Sequence, residues 1–327
     1  MPEITPDPIL QIATGFMAAK HLFVANEVGL FDQLADGPAT LDTLAGRTGV
    51  ARSRLRILAD AMVALSFVER QGDLYQNAPI AATFLTGRTP VDLRPVLRFF
   101  NHLSYPMWTK LEETIRTGQA QMTMHMPPDA QRIFSEGVEA FHAAPSQALP
   151  ATYDFGRHQR LLDLGGGTGS WLLAILQQYR TLTGTLFELP TAAAVARQRL
   201  ASDPVGQRVT VVEGDFFTEP IPPGHDVVLI ANVVHLCSAE RNLALLRRIR
   251  HYVPDGARLL LVDFWTDSTH TQPPVAALMA GQFLMSTGEG DVYSAEEAHG
   301  WLEESGWRAV ERKPLDVANS VIVAETA

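Results

Sequence analysis

Leu161-Leu162-Asp163-Leu164-Gly165-Gly166-Gly167-Thr168-Gly169 sets the narrowest bound on how this chain folds. An apolar run enters the segment and a helix-compatible stretch begins near Ser170, so the glycines fall where a strand turns into a helix. Glycine there lets the backbone approach a bound molecule with no Cβ in the way, and the following helix offers unpaired amide groups. A nucleoside ligand fits such a turn. Alone, the cluster leaves other readings open: a dinucleotide also sits on a glycine-rich turn after a first strand, and a tight turn can hold nothing.

The surrounding rhythm supplies the fold class. From Arg160 onward, short leucine-rich or β-branched runs alternate with amphipathic helical stretches, the pattern of a parallel sheet with helices on both faces. Strands are expected at Arg160 to Leu164, Thr185 to Leu189, Val209 to Glu213, Asp226 to Ala231, Ala257 to Phe264, Trp307 to Arg312 and Ser320 to Glu325. Seven strands make an α/β, Rossmann-like doubly wound sheet. The front of the chain reads differently. An apolar helix from about Ile9 to Val28, ended by Gly29, is expected to be buried. Thr40 caps a short helix, Gly46 to Val50 turns, and Ser53 caps a longer helix through Leu65. Phe67 to Gln76 alternates as a hairpin around Gln71-Gly72-Asp73, completing a winged-helix pattern. Between Pro90 and Pro150 the pattern is helical, with Trp108, Leu111 and Ile115 spaced for one buried face and Pro127-Pro128 breaking it. The expected organisation is therefore a winged-helix-like domain over 1–100, a helical connector lining a pocket over 101–150, and a Rossmann-like domain over 151–327.

Length and composition agree with two cores: 327 residues, 46% apolar and 19% charged. The single Cys237 forms no internal disulfide, which suits a cytoplasmic location. Met1 to Pro8 is acidic and proline-rich, and no apolar run is read as reaching the ~18 residues of a membrane span, so no targeting segment and no membrane partner are expected. A formal charge of -10 argues against nucleic acid as a partner. The histidines show no paired metal-ligand spacing, so no metal is expected.

Two further acids narrow the ligand. Glu188 follows the second strand, about twenty residues past the glycines, where a carboxylate accepts from both ribose hydroxyls. After the third strand, Gly214-Asp215-Phe216-Phe217 sets an acid beside aromatic rings, suited to the exocyclic amine and face of adenine. That favours S-adenosyl-L-methionine over NAD. Taken singly, Asp215 reads equally well as a turn-forming acid.

These elements, with Asn232-Val233-Val234-His235 ending the fourth strand and the winged-helix front, resemble the plant-type O-methyltransferase family and its bacterial small-molecule relatives over nearly the whole chain. The resemblance implies a front domain that forms a homodimer. It implies that Asp163, Gly165, Gly167, Glu188, Leu189, Asp215, Phe216 and Asn232 hold S-adenosyl-L-methionine, with S-adenosyl-L-homocysteine as product. It implies His235 as general base, Asp263 as the acid orienting its ring, and Asp291 as the nearest match to a second acid. Chemistry agrees with a base, because a phenol, with pKa about 10, is a poor nucleophile while protonated, and histidine, with pKa about 6.5, accepts its proton at neutral pH. The other readings are a capping or packing histidine at 235 and a solvated strand-end acid at 263.

The chain departs from the family where Leu236-Cys237 follows the histidine instead of Asp-Trp, and where Ala231 replaces a cation. These departures leave the accepting atom open among oxygen, carbon and nitrogen, and leave open a relative that binds the cofactor without transferring methyl. Cys237 reads as a small buried residue. The acceptor, a small aromatic metabolite, is expected against Trp108, Phe141, Trp265, Met279 and Phe283, with Phe100 and Phe134 also in view. Most of these read equally as core, as do Met122, Met124 and Met126. A winged-helix regulator using Arg47, Arg52, Arg54 and Arg56 on phosphate is the reading from another class. The acidic total and the complete cofactor constellation stand against it.

Overall fold

The computed structural model describes residues 4–122 and 126–327; Met1 to Glu3 and Met124 lie outside them. The chain divides into two compact units, Met1–Pro106 with His125–Phe141, and Met107–Met124 with His142–Ala327.

In the first unit, helix Leu41–Thr48 begins where the Thr40 hydroxyl accepts from the Thr43 amide at 3.2 Å. Helix Arg52–Ala64 follows, with Ala51 in the capping position and no side-chain cap. Ser53 lies inside this helix, so it does not cap it as expected. Strands β1 (Ala39–Thr40), β2 (Val68–Gln71) and β3 (Leu74–Asn77) form an antiparallel sheet in the order β1-β3-β2. Leu30, Phe31, Leu44, Leu55, Met62 and Tyr75 fill the core beneath it.

The first helix, Asp7–Glu27, overturns the expectation of burial: only Phe23, Ala25 and Asn26 are buried, while Ile12 is 83% and Phe16 52% exposed. It is also long and apolar enough by length and composition to cross a membrane, contrary to the expectation that no run reaches that length. Further along this unit, a Cβ on Gly137 would stand 2.3 Å from Phe99 Cβ, so only glycine lets the long helix Pro128–Thr152 lie against that ring. Phe134 packs on Phe99 at 5.9 Å and Phe141 on Phe100 at 6.2 Å.

The second unit carries β4 (Arg160–Leu164), β5 (Thr183–Glu188), β6 (Val209–Glu213), β7 (Val227–Ala231), β8 (Arg258–Phe264), β9 (Trp307–Pro314) and β10 (Asn319–Thr326). They form one sheet in the order β6-β5-β4-β7-β8-β10-β9, parallel except where β10 runs antiparallel to both neighbours. The seven expected strands are all present, with ends moved by one or two residues. Asp226, expected to open β7, instead accepts the Gln159 and Arg160 amides with its carboxylate. Side-chain alternation sends Leu162 and Leu164 into one core and Leu161 into the other, so each face of the sheet is covered. Ile115, expected on a buried face, is 65% exposed; in helix Leu111–Thr117 the inward residue is Thr114.

Strand order reverses at β4, whose neighbours β5 and β7 leave in opposite directions. The crevice of such a sheet opens at the carboxyl ends beside that reversal. There the chain places the turns after β4, β5, β6, β7 and β8.

Candidate active site

The turn after β4 adopts left-handed backbone at Gly165 (φ 70°) and Gly167 (φ 57°), a conformation that costs a side-chain-bearing residue. A Cβ on Gly165 would press on Val233 at 3.0 Å and the Phe216 ring at 3.2 Å, whereas one on Gly167 would meet nothing within 4 Å. The turn is thus packed at its root and open at its tip. Glu188, ending β5, accepts from the Gly167 amide at 2.9 Å and the Leu189 amide at 2.7 Å. Burial pushes its carboxyl up, and those two amides hold it down.

Asp163 lies beneath this turn, 0% exposed, and neither of its carboxyl oxygens has a hydrogen-bond partner. Burial, and then the neighbouring charge of Glu188, pushes its pKa up to about 8. Asn232, just past β7, takes the left-handed region (φ 59°), and both polar atoms of its side chain lack partners. Asp215 accepts the Phe217 amide at 2.8 Å, and the Phe216 and Phe217 rings meet at 4.8 Å.

His235 sits in the short turn Val234–Leu236 after β7 and is buried. Its Nδ1 lies 2.6 Å from Asp263 Oδ1, and the same carboxylate accepts the amides of Phe264 at 2.8 Å and His235 at 3.3 Å. A carboxylate only accepts, so Nδ1 carries a proton, and in the neutral ring that leaves the lone pair on Nε2. Phe283 stacks on the imidazole at 3.6 Å between centroids and 18° between planes. From behind, the Asp291 amide donates to the His235 carbonyl at 3.1 Å, and Asn242 holds the Val234 carbonyl at 2.9 Å.

Residues 108–308 match the family model of the O-methyltransferase domain, and residues 10–87 that of the O-methyltransferase dimerisation domain. The chain belongs to the O-methyltransferase family. The 3-hydroxy-5-methyl-1-naphthoate 3-O-methyltransferase of Streptomyces sahachiroi is 30% identical to it over 92% of this chain and 89% of the relative. The N,N-dimethyltransferase OxyT of Streptomyces rimosus is 28% identical over 94% of this chain and 92% of its own. Among solved structures, PigF with SAH superposes at a TM-score of 0.88, with 27% identity over 99% of this chain and 100% of that one. This methyltransferase uses S-adenosylmethionine.

The residues present fit that cofactor. Gly167 leaves room at the turn, and Asp163 and Asn232 bring buried polar atoms that find no partner among the described residues. Glu188 is aimed by the turn's own amide.

The other expected residues divide. Phe283 lies on the histidine, and Trp108 donates its indole N–H to Gln282 at 2.8 Å on the same helix, Pro274–Thr287. Met279 is half-buried on that helix. Trp265 is corrected: it is 1% exposed in the sheet core and donates to the Ser320 carbonyl at 3.1 Å, so it packs the interior rather than lining a pocket. Phe141 lies in the first unit against Phe100. Asp291 reaches the histidine through its main chain; its carboxylate accepts the Val292 amide at 2.7 Å. Cys237 is buried, and burial pushes its thiol up to about 11, so it carries no thiolate at neutral pH.

Sequence reasoning missed His142, whose ring lies 6.5 Å from that of Phe264, itself 5.9 Å from His235. Burial above all, and the charge of His235 whenever that ring is protonated, pushes His142 down to about 4, so it stays neutral beside the pair. A lone histidine inside a long helix carries no motif that would single it out. Tyr293 was also missed; its hydroxyl donates to the Cys237 carbonyl at 2.6 Å and ties the 288–293 loop to the histidine turn.

Proposed function

We propose that this methyltransferase methylates a hydroxyl of a small aromatic metabolite, with His235 as general base. The contact between His235 and Asp263 is the observation that carries the reading. S-adenosylmethionine, when bound, supplies an electrophilic methyl group. Nε2 of His235 takes the proton of the hydroxyl, raising its nucleophilicity as transfer proceeds. The carboxylate of Asp263 fixes the tautomer before that step and stabilises the imidazolium after it. Phe283 restricts the ring from one face, and neutral His142 adds no charge to oppose the incoming proton.

For the cofactor we assign Asp163, Gly165, Gly167, Glu188, Leu189, Asp215, Phe216 and Asn232; for the acceptor, Trp108, Met279 and Phe283. A nitrogen acceptor is a second reading, favoured by the similarity to OxyT and by Leu236-Cys237 after the histidine. The domain assignment is a front domain over 1–100, a connector over 101–150 and a catalytic domain over 151–327, in a cytoplasmic homodimer. The apolar exposed side of helix Asp7–Glu27, inside the dimerisation match, supports a second copy as what covers it.

The test follows labelled methyl from S-adenosylmethionine onto a panel of phenols and amines. With a phenol, His235→Ala is expected to lower kcat by about 10²–10⁴-fold while cofactor affinity stays near wild type. Transfer to phenols at an unchanged rate in the variant overturns the base; transfer to amines alone overturns the hydroxyl.

A further inference from the structure

Asp163 presents an electrostatic problem that the reaction does not use. Its carboxyl is fully enclosed, and neither oxygen finds a donor among the described residues. Gly166 sits so close above it that a Cβ there would lie 2.2 Å from Oδ2. Among the described residues, the groups around it give no compensating charge. Across the sheet it faces Leu186 and Leu229, and the helix that caps the turn, Ser170–Gln178, carries no charged residue. The charged neighbour is Glu188, which is of the same sign and whose oxygens are engaged by the Gly167 and Leu189 amides. A carboxylate without a counter-ion or hydrogen bonds is not sustained in such a place, and the group neutralises by holding its proton.

The cofactor brings what the site lacks, since S-adenosylmethionine carries a sulfonium and an ammonium. Resting on the cofactor reading above, we infer that Asp163 is protonated in the free enzyme and gives up its proton when S-adenosylmethionine binds, so that cofactor uptake exchanges one positive charge for another. The O–H bond of the carboxyl breaks, both electrons stay on the carboxylate, and the proton leaves to bulk buffer. The enclosed anion is then balanced by the cationic ligand.

The consequence for affinity has a definite sign. A ligand that binds with release of one proton binds more tightly as pH rises, about tenfold per pH unit while the free group stays protonated. Burial and Glu188 hold that group up to about 8, so the rise spans the acidic side of neutrality. Nearer pH 8 the cofactor's own α-amino group, with a pKa of about 7.7–8.0, begins to deprotonate and opposes it.

The experiment is calorimetric titration of the full-length enzyme with S-adenosylmethionine near pH 6.5, repeated in buffers of different ionisation enthalpy; about one proton released per cofactor is expected. Glu188→Gln, which binds more weakly, is expected to keep the release, and Asp163→Asn to lose it. As a check independent of that variant's folding, infrared difference spectra of the wild type are expected to lose the carbonyl stretch of a protonated carboxyl on cofactor addition. Binding without proton release or without that infrared change overturns the inference, and so does loss of the release in Glu188→Gln. Absence of any binding heat and of any cofactor-induced thermal shift instead overturns the cofactor reading.

Discussion

Asp263 shows how much one buried residue holds at once. It is 1% exposed and accepts from an imidazole and two amides. Replacing it with Asn keeps the shape but puts an N–H₂ or a weaker acceptor against Nδ1, freeing the ring to take the other tautomer. Asp263→Asn is expected to lower kcat by about 10²–10⁴-fold and to alter its pH profile, with KM for the acceptor little changed; steady-state kinetics across pH checks this. An unchanged pH profile would remove Asp263 from its positioning role. At this scale the sequence was legible where a residue belongs to a motif and opaque elsewhere. Periodicity locates the strand ends near which Glu188, Asp263, His235 and the glycines stand, and the resemblance to the family supplied the roles expected of His235 and Asp263. Neither singled out His142 or Tyr293, because their partners come from segments that only the folded chain brings near. Trp265 was misjudged because an aromatic residue just past a strand looks the same whether it faces the crevice or the core.

Among the elements, helix Ala295–Glu304 is the most fully specified by local sequence. Ser294 accepts the Glu297 amide at 3.2 Å, and the Glu297 carboxylate accepts the Ser294 amide at 2.7 Å, a reciprocal capping box. Ser294→Ala is expected to destabilise the fold by about 1 kcal/mol, measured by denaturant unfolding, with S-adenosylmethionine affinity unchanged. A loss of affinity instead would tie this cap to the cofactor site. The strands of the sheet were readable because alternation and β-branched runs demand burial on both faces. The first helix was not, because an apolar sequence is written the same way for a core as for a surface awaiting a partner. The start of Arg52–Ala64 was missed for a smaller reason: Ser53 is a favoured cap by type, but Ala51 has the extended backbone.

On the scale of the whole molecule, the exposed apolar side of Asp7–Glu27 is the feature a lone chain explains least. Ile9, Ile12 and Phe16 are exposed on a chain whose net charge is -10. Phe16→Glu is expected to shift the enzyme from dimer toward monomer by light scattering coupled to size exclusion. A wild-type monomer, or a variant dimer of unaltered affinity, would argue against this face as the interface. The fold class was legible in full, since seven strand-like runs separated by helices admit few arrangements. The side chains that face an acceptor were not legible in the same way, because a pocket depends on which face of each helix turns inward.

The two halves of the chemistry draw on separate stretches of chain. The residues around the glycine turn lie between Asp163 and Phe217, while those that hold His235 come from Asp263, Phe283, Asp291 and Tyr293. A substitution in the later stretch can therefore alter the setting of His235 without touching the glycine turn, so the two are open to change one at a time.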